Sequence, residues 1–187
     1  IKALIIMITI GAFSLAQTIF ITEITDPQNS SDAGRYVELY NGGTEDADFS
    51  TRDNVWGLQR WTNGNTEPQS VKYLTGTIEA GGYFIVCNDA DKFLSTYGFA
   101  CDQDIGSGGP ADSNGDDNIA LTRTDAEGTI EIIDMFGVPG EDGSGTGHEF
   151  EDGRAERAAG VTSANPQWDV SEWNIDNDSG GGDGNQY

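Results

Sequence analysis

The sequence predicts an all-β protein: an antiparallel β-sandwich with one short helix and long loops rich in glycine and aspartate. Seven runs rich in aromatic and β-branched residues recur at short spacing along the chain. Several of them alternate apolar and polar residues, as half-buried antiparallel strands do. The 26 glycines among 187 residues indicate many turns between these runs.

The predicted strands are, in order, 18–25, 35–41, 55–61, 70–78, 82–88, 118–123 and 129–137. Alternation predicts pairs that share one face of a strand: Val37 with Leu39, Ile119 with Leu121, and Ile130 with Ile132. Glu38 and Tyr40 would occupy the opposite face of their strand. The run 82–88, GYFIVCN, is nearly all apolar, and it therefore predicts a central strand covered on both faces.

One helix is predicted in the segment 88–98, NDADKFLSTYG. Asn88 or Asp89 can cap its N-terminus, and Gly98 can end it. Phe93, Leu94 and Tyr97 are expected to share its apolar side.

Three domain segments are predicted. Residues 1–16 resemble a signal peptide, because an apolar run is followed by small residues, Ser14 and Ala16, before a cleavage point at Gln17. Residues 17–147 would form the sandwich. Residues 148–187 would form an irregular C-terminal extension, held against the sandwich by Trp168 and Trp173, or the start of a linker. No segment after the signal peptide is apolar enough to span a membrane, so the mature chain is predicted to be secreted.

The charge is strongly negative. Thirty-two acidic residues oppose nine basic ones, which gives a formal net charge of −23. Such a surface repels phosphate backbones, so direct nucleic-acid binding is not expected. It suits solubility and multivalent cations.

Cys87 and Cys101 are the two cysteines of the chain. In an exported protein an even, small number of cysteines favours a disulfide. Two buried free thiols are the alternative. A metal site is the weakest interpretation, since there is no CxxC pair and no neighbouring histidine.

The order of motifs resembles the lamin-tail domain family. FITEI, RYVELYN, VWGLQRW, AGGYFIVCN, GDDNIAL and GTIEIIDMFG follow one another over residues 18–137. The resemblance implies an immunoglobulin-like β-sandwich, found at the end of nuclear lamins and in exported microbial proteins. The signal peptide and the lack of coiled-coil heptads place this chain in the exported branch. The segment beyond 147 lies outside the family pattern.

The resemblance implies a non-catalytic interaction or anchoring module with an extracellular protein or polysaccharide partner. One alternative is an accessory domain of a secreted hydrolase, such as a nuclease or phosphatase, whose catalytic domain lies beyond Tyr187. A second alternative is a calcium-dependent adhesion or mineral-associated protein.

Calcium is the cofactor that the acidic loops suggest. Asp112, Asn114 and Asp116 alternate as the first oxygen ligands of calcium loops do, although a turn before the next strand explains the same residues. The later positions of the helix-loop-helix calcium motif carry other residues. Asp176, Asp178 and Asp183 form a second candidate. The first loop is the stronger one, because it is tethered at the start of a strand.

No catalytic residue is predicted. His148 is the single histidine, no nucleophile or metal motif accompanies it, and it is expected in an exposed loop. The RAER segment at 154–157 should form ion pairs within so acidic a chain. Asn29 and Asn177 match the N-glycosylation acceptor pattern.

Overall fold

The computed structural model describes residues 18–28 and 33–177 of the chain. These residues form an all-β sandwich with one short α-helix, α1 (Ala90–Tyr97), as predicted. The strands, in chain order, are β1 (Ile19–Thr25), β2 (Tyr36–Asn41), β3 (Ala47–Asp48), β4 (Ser50–Thr51), β5 (Asn54–Trp61), β6 (Lys72–Tyr73), β7 (Thr77–Ile78), β8 (Tyr83–Cys87), β9 (Gln103–Asp104), β10 (Asn118–Thr124), β11 (Ile130–Phe136), β12 (Arg154–Arg157) and β13 (Trp173–Asp176).

The strands form two main sheets. The six-stranded sheet has the order β13-β12-β1-β2-β8-β9, and its pairs are antiparallel except that β8 and β9 are parallel. The five-stranded sheet has the order β11-β10-β5-β4, with β6 also paired to β5. β3 and β7 form a small two-stranded sheet. None of the helical segments in the described ranges is long and apolar enough to cross a membrane.

Both main sheets contribute apolar side chains to one core. The predicted pairs Val37 with Leu39 and Ile119 with Leu121 are all 0% exposed and belong to this core. Period-two alternation thus places one face of each strand away from water. Each fully buried side chain of this size stabilises the fold by about 1.5–3 kcal/mol through the apolar area it removes from water.

Ile130 and Ile132 share one face of β11, as predicted, but neither lies in the main core. Ile130 is 44% exposed, and Ile133 is the isoleucine of β11 that enters the core. The register between β10 and β11 shifts between Leu121 and Thr122. Such a bulge moves the residues on one side of it to the other face of the strand.

The predicted strand 70–78 is interrupted. β6 pairs with β5, whereas β7 pairs with β3 in the small sheet. Gly76 lies between them with φ of +88°, a backbone conformation that favours glycine. The chain therefore changes partner at this turn, while Leu74 just before it stays fully buried.

The helix begins and ends where the sequence predicts. The Asp89 side chain accepts hydrogen bonds from two backbone N–H groups of the first turn, and Gly98 adopts the left-handed conformation at the C-terminus. Phe93 is buried, but Leu94 is 49% exposed, so its expected place on the packed side is wrong. Tyr97 packs edge-on against Tyr36 of β2 instead.

The run 82–88 forms β8 between β2 and β9, but it is not covered along its whole length. Tyr83 at its start is 60% exposed. The predicted disulfide between Cys87 and Cys101 is present, with 6.1 Å between the two Cα atoms. It joins the end of β8 to the segment before β9, and closing a loop of this size contributes about 3 kcal/mol of stability.

The described part of the predicted extension, residues 148–177, is not irregular, because it carries two strands. β12 pairs with β1 and β13 pairs with β12, so this segment supplies one side of the six-stranded sheet. Phe150 and Ala155 are 0% exposed and lie in the main core. Trp168 and Trp173 do hold the segment against the sandwich, because both rings pack against Phe136.

A buried ion pair also connects this segment to both sheets. The Arg157 guanidinium donates to the Asp134 carboxylate of β11, and its other N–H groups donate to the Ile21 carbonyl at 2.9 Å and to Glu172 at 3.1 Å. Asp134 also accepts the Ile21 N–H at 2.8 Å and the Asn165 N–H at 2.9 Å. The Ile21 N–H lies at a bulge in β1, where Asp134 across the sandwich satisfies it.

Candidate functional site

The strongest candidate site is an open groove on the outer face of the six-stranded sheet, hereafter the sheet groove. Alternation along β2 places Val37 and Leu39 in the core, so Tyr36, Glu38 and Tyr40 face outward. The groove has a volume of about 510 Å³. Residues 158–161 and Asn174 contribute to its lining beside the strands.

Three aromatic side chains cross the groove on neighbouring strands: Phe20, Tyr40 and Tyr83, hereafter the aromatic row. Tyr40 is in register with both of the others. The Phe20 and Tyr40 ring centroids are 5.7 Å apart, and those of Tyr40 and Tyr83 are 4.9 Å apart. Phe20 is buried, but Tyr83 is 60% exposed. A large exposed ring next to a groove is available to stack on a ligand.

Three glutamates cross the same face beside the aromatic row: Glu156, Glu23 and Glu38, hereafter the carboxylate row. Glu23 lies directly opposite Glu156 on β12 and directly opposite Glu38 on β2. Like charges in directly opposed positions destabilise a sheet. Thr22 donates its hydroxyl to Glu38 at 2.7 Å, and the Tyr36 hydroxyl donates to Glu23.

Burial and mutual repulsion perturb the carboxylate row. Desolvation, followed by the charges of Glu38 and Glu156, raises the pKa of Glu23 to about 7, while the Tyr36 hydrogen bond opposes this effect. Desolvation also raises the pKa of Glu38. Burial and the neighbouring Glu23 raise the pKa of Tyr36, so this tyrosine remains a hydrogen-bond donor at neutral pH. A carboxyl group poised near neutrality in a groove is a frequent mark of a functional site.

The chemistry of the sheet groove suits a polar ligand with flat faces. Tyrosine rings provide apolar surface that can lie against a sugar ring, and carboxylate and amide oxygens can accept hydrogen bonds from hydroxyl or amino groups. The groove is open rather than enclosed, which suits a long chain more than a small molecule.

The first predicted calcium loop is engaged by protein groups. Asp112 accepts hydrogen bonds from the Gly108 N–H at 2.7 Å and from Asn88 at 2.9 Å, and Arg35 lies 3.3 Å from it. Burial raises its pKa, but these donors outweigh burial and hold the pKa below its usual range. Asp112 is therefore satisfied without a metal.

The other two predicted ligands of that loop, Asn114 and Asp116, lie in different environments. Asn63 donates to Asp116 at 2.6 Å, and Asn114 is exposed. Desolvation, followed by the charge of Asp117, raises the pKa of Asp116. Within residues 18–28 and 33–177, no group of three or more His, Cys, Asp or Glu side chains is placed to hold a metal ion.

The second predicted calcium loop lies at the end of β13. Asp178 and Asp183 fall outside the described residues. Asp176 is 3% exposed, and both of its carboxylate oxygens are buried without a hydrogen-bond partner among the described residues. A buried carboxylate without partners is costly; a cation at this position would remove that cost.

His148 is not the exposed loop residue that the sequence suggested. It is 1% exposed, its ring packs edge-on against Phe136 and Trp168, and its Nδ1 lies 3.0 Å from the Thr146 hydroxyl. The aromatic residues on either side of its loop enclose it. Desolvation lowers the pKa of His148, although Glu141 and Asp142 oppose the shift.

We expect His148 to make the protein less stable below neutral pH. The unfolded chain binds a proton at a pKa of about 6.5, while the folded state excludes it, so stability falls as pH falls through this window. The slope approaches about 1.4 kcal/mol per pH unit. Urea unfolding between pH 7 and pH 5 measures it, with His148→Gln as the comparison. Equal pH dependence of both proteins contradicts a buried neutral histidine.

The remaining predictions concern the arginines of the RAER segment and the two glycosylation candidates. Arg154 and Arg157 of the RAER segment form ion pairs with Glu156 and with Asp134 and Glu172, as expected. Asn29 falls outside the described residues. The Asn177 side chain is partly buried and donates to the Glu149 carbonyl at 3.4 Å.

The local sequence pattern does not indicate the sheet groove. The one sequence feature that points to the groove is the predicted position of Glu38 and Tyr40 on the face of their strand opposite Val37 and Leu39. Glu156 could not be associated with Glu23, because β12 had not been predicted as a strand.

Comparison of the chain with protein-family models and with curated protein sequences gave no match. The resemblance to the lamin-tail family therefore rests on the six sequence motifs alone.

Proposed function

We propose that this chain is an exported, non-catalytic binding module of the lamin-tail type, with an immunoglobulin-like sandwich, and that it binds an extracellular polysaccharide in the sheet groove. The single observation that carries the proposal is the aromatic row, which ends in a tyrosine that is 60% exposed. Stacking on Tyr83 and Tyr40 supplies affinity, and the polar groups beside them supply hydrogen bonds to hydroxyls.

The acidic character of the groove limits the ligand class. Nucleic acids and uronate polymers carry negative charge and are repelled by the carboxylate row. Neutral and amino polysaccharides carry no such penalty. A module of this kind would anchor its protein to a cell wall or matrix.

Binding to insoluble and soluble polysaccharides tests the proposal. We expect Tyr83→Ala to weaken binding about tenfold, because it removes the most accessible ring. Tyr73→Ala is the matched control, since Tyr73 is also exposed, at 49%, but lies outside the groove. Failure of the wild type to bind any neutral or amino polysaccharide would overturn the proposal, as would equal binding by Tyr83→Ala.

The same samples test the non-catalytic part of the proposal. Glu23 and Glu38 are directly opposed on neighbouring strands, and glycoside hydrolases also use two carboxyl groups. We expect no release of reducing ends during prolonged incubation. Release that Glu23→Gln abolishes would show an enzyme.

Calcium binding is a second candidate function, and Asp176 is the observation that favours it. We expect calcium to raise the melting temperature more than sodium chloride at matched ionic strength, which controls for screening. Asp176→Asn should lose most of this increment, because no group in the described part of the chain donates to the buried Asp176 oxygens. Asp112→Asn is the matched control and should keep it, because Asp112 already has protein donors. An increment no larger than that of sodium contradicts the calcium reading.

A further inference from the structure

The charges of the sheet groove are not balanced by its own residues. Among the described residues that line the groove, Arg157 is the one basic side chain. Its guanidinium is already engaged by Asp134, by Glu172 and by the Ile21 carbonyl. It also lies against the Trp173 ring, 4.0 Å from the centroid. It is therefore not available to neutralise the carboxylate row.

A second cation, Arg154, lowers the pKa of Glu23, but burial and the charges of Glu38 and Glu156 outweigh it. Arg154 lies 3.4 Å from Glu156, whose side chain is 42% exposed. Ion pairs with one exposed partner contribute little. Within residues 18–28 and 33–177, the Tyr36 and Thr22 hydroxyls are the donors to the Glu23 and Glu38 carboxylates, and neither donor carries a positive charge. Whenever Glu23 is ionised, it therefore forms two directly opposed like-charge pairs on this face, at a cost to the fold.

The aromatic row, like the carboxylate row, favours a cationic ligand. Glu38 and Tyr40 lie two residues apart on the same face of β2, so a carboxylate and a ring lie side by side. The face of an aromatic ring attracts a cation, and a carboxylate attracts it more strongly still. Neutral sugars use only the rings and the hydrogen bonds, so they leave the repulsion in the carboxylate row unrelieved.

We propose that the sheet groove selects a polysaccharide that carries protonated amino groups, that is, a polymer of amino sugars with free amines. This inference rests on the proposed polysaccharide binding. Each ammonium group would lie near the carboxylate row and relieve its repulsion, while the sugar rings stack on the aromatic row. The charge complementarity of the groove commits it to this occupant over neutral and acidic chains.

The test compares two soluble ligands of equal length: glucosamine oligomers with free amines and their N-acetylated counterparts. Titration calorimetry at physiological salt measures both affinities, so that long-range attraction is screened. We expect the free-amine oligomer to bind at least about tenfold more tightly. The double variant Glu38→Gln with Glu156→Gln should bind both oligomers nearly equally.

A matched control removes the same charge elsewhere. Glu67 and Glu127 are exposed and lie outside the groove. Glu67→Gln with Glu127→Gln should keep the full preference for the amine. If this control loses the preference to the same degree, the attraction belongs to the overall charge of −23, and the inference fails.

The remaining outcomes separate the two proposals. Equal affinity of the wild type for both oligomers overturns the amine preference but leaves polysaccharide binding intact. Binding to neither overturns both. Tighter binding of an oligolysine peptide than of the amino-sugar oligomer makes the occupant a basic peptide, which also overturns the inference.

Discussion

Replacing Arg157 by alanine should lower the free energy of unfolding by about 3–5 kcal/mol. The side chain is 3% exposed, and it pairs with Asp134, which is completely buried. Without the guanidinium, the Asp134 carboxylate remains in the core with only two backbone N–H donors, from Ile21 and Asn165. A buried charge that has lost its partner costs far more than the pair contributed.

Urea unfolding at neutral pH measures this loss. Arg123→Ala is the control, because Arg123 also forms a cross-strand ion pair, with Glu131, whose side chain is 60% exposed. An exposed pair of this kind should contribute less than about 1 kcal/mol. If the two variants lose similar stability, Arg157 does not hold the C-terminal strands to the sandwich in the way its contacts indicate.

The strands that could be predicted from the sequence are those with a strong local pattern. β1, β2, β5, β8, β10 and β11 all contain runs of β-branched or aromatic residues, and the caps of α1 are short-range signals at Asp89 and Gly98. Local propensity and final environment agree in these segments. The two cysteines also paired as their number suggested.

β12 and β13 could not be predicted because their local pattern is poor. RAER contains no β-branched or aromatic residue, and WNID is only four residues long. They become strands because β1 offers an unpaired edge, and because Phe150 and Trp173 add their area to the core. Strand pairing of this kind is decided by distant contacts rather than by local sequence.

The candidate site could not be predicted either, because it also depends on contacts between distant parts of the sequence. Glu23, Glu38 and Glu156 are distant in the sequence, and only strand register brings them together. His148 lies in a loop as predicted, but its exposure is wrongly predicted, because no local pattern reports the burial that Phe136 and Trp168 impose. The acidic loops, in contrast, are conspicuous in the sequence. In the first of them, however, Asp112 already interacts with an arginine and a backbone N–H group.

Replacing Glu23 by glutamine should stabilise the protein at pH 8 and leave its stability almost unchanged at pH 4.5. The folded state holds the Glu23 proton up to a pKa of about 7, whereas the ordinary value is 4.5. Between these values the folded state binds more protons than the unfolded chain. The wild type therefore loses stability as pH rises through this window, and glutamine removes that loss.

The expected gain above pH 7 is about 2–3 kcal/mol, allowing for screening at a partly exposed side chain. Glutamine keeps an oxygen that accepts the Tyr36 hydroxyl, so the local contact survives. Urea unfolding of both proteins at pH 4.5 and pH 8 measures the difference, and the shared titration of His148 cancels in the comparison. Glu127→Gln, on an exposed hairpin, should show no such pH dependence.

A gain that is equal at the two pH values would mean that Glu23 is not held protonated by its neighbours. A gain confined to high pH, together with weaker binding of the free-amine oligomer by the same variant, would link the two properties of the groove. The repulsion between Glu23, Glu38 and Glu156 would then lower the stability of the protein when no ligand is bound in the groove. An ammonium group in the groove would relieve that repulsion, so the relief of repulsion between the carboxylates would supply part of the affinity.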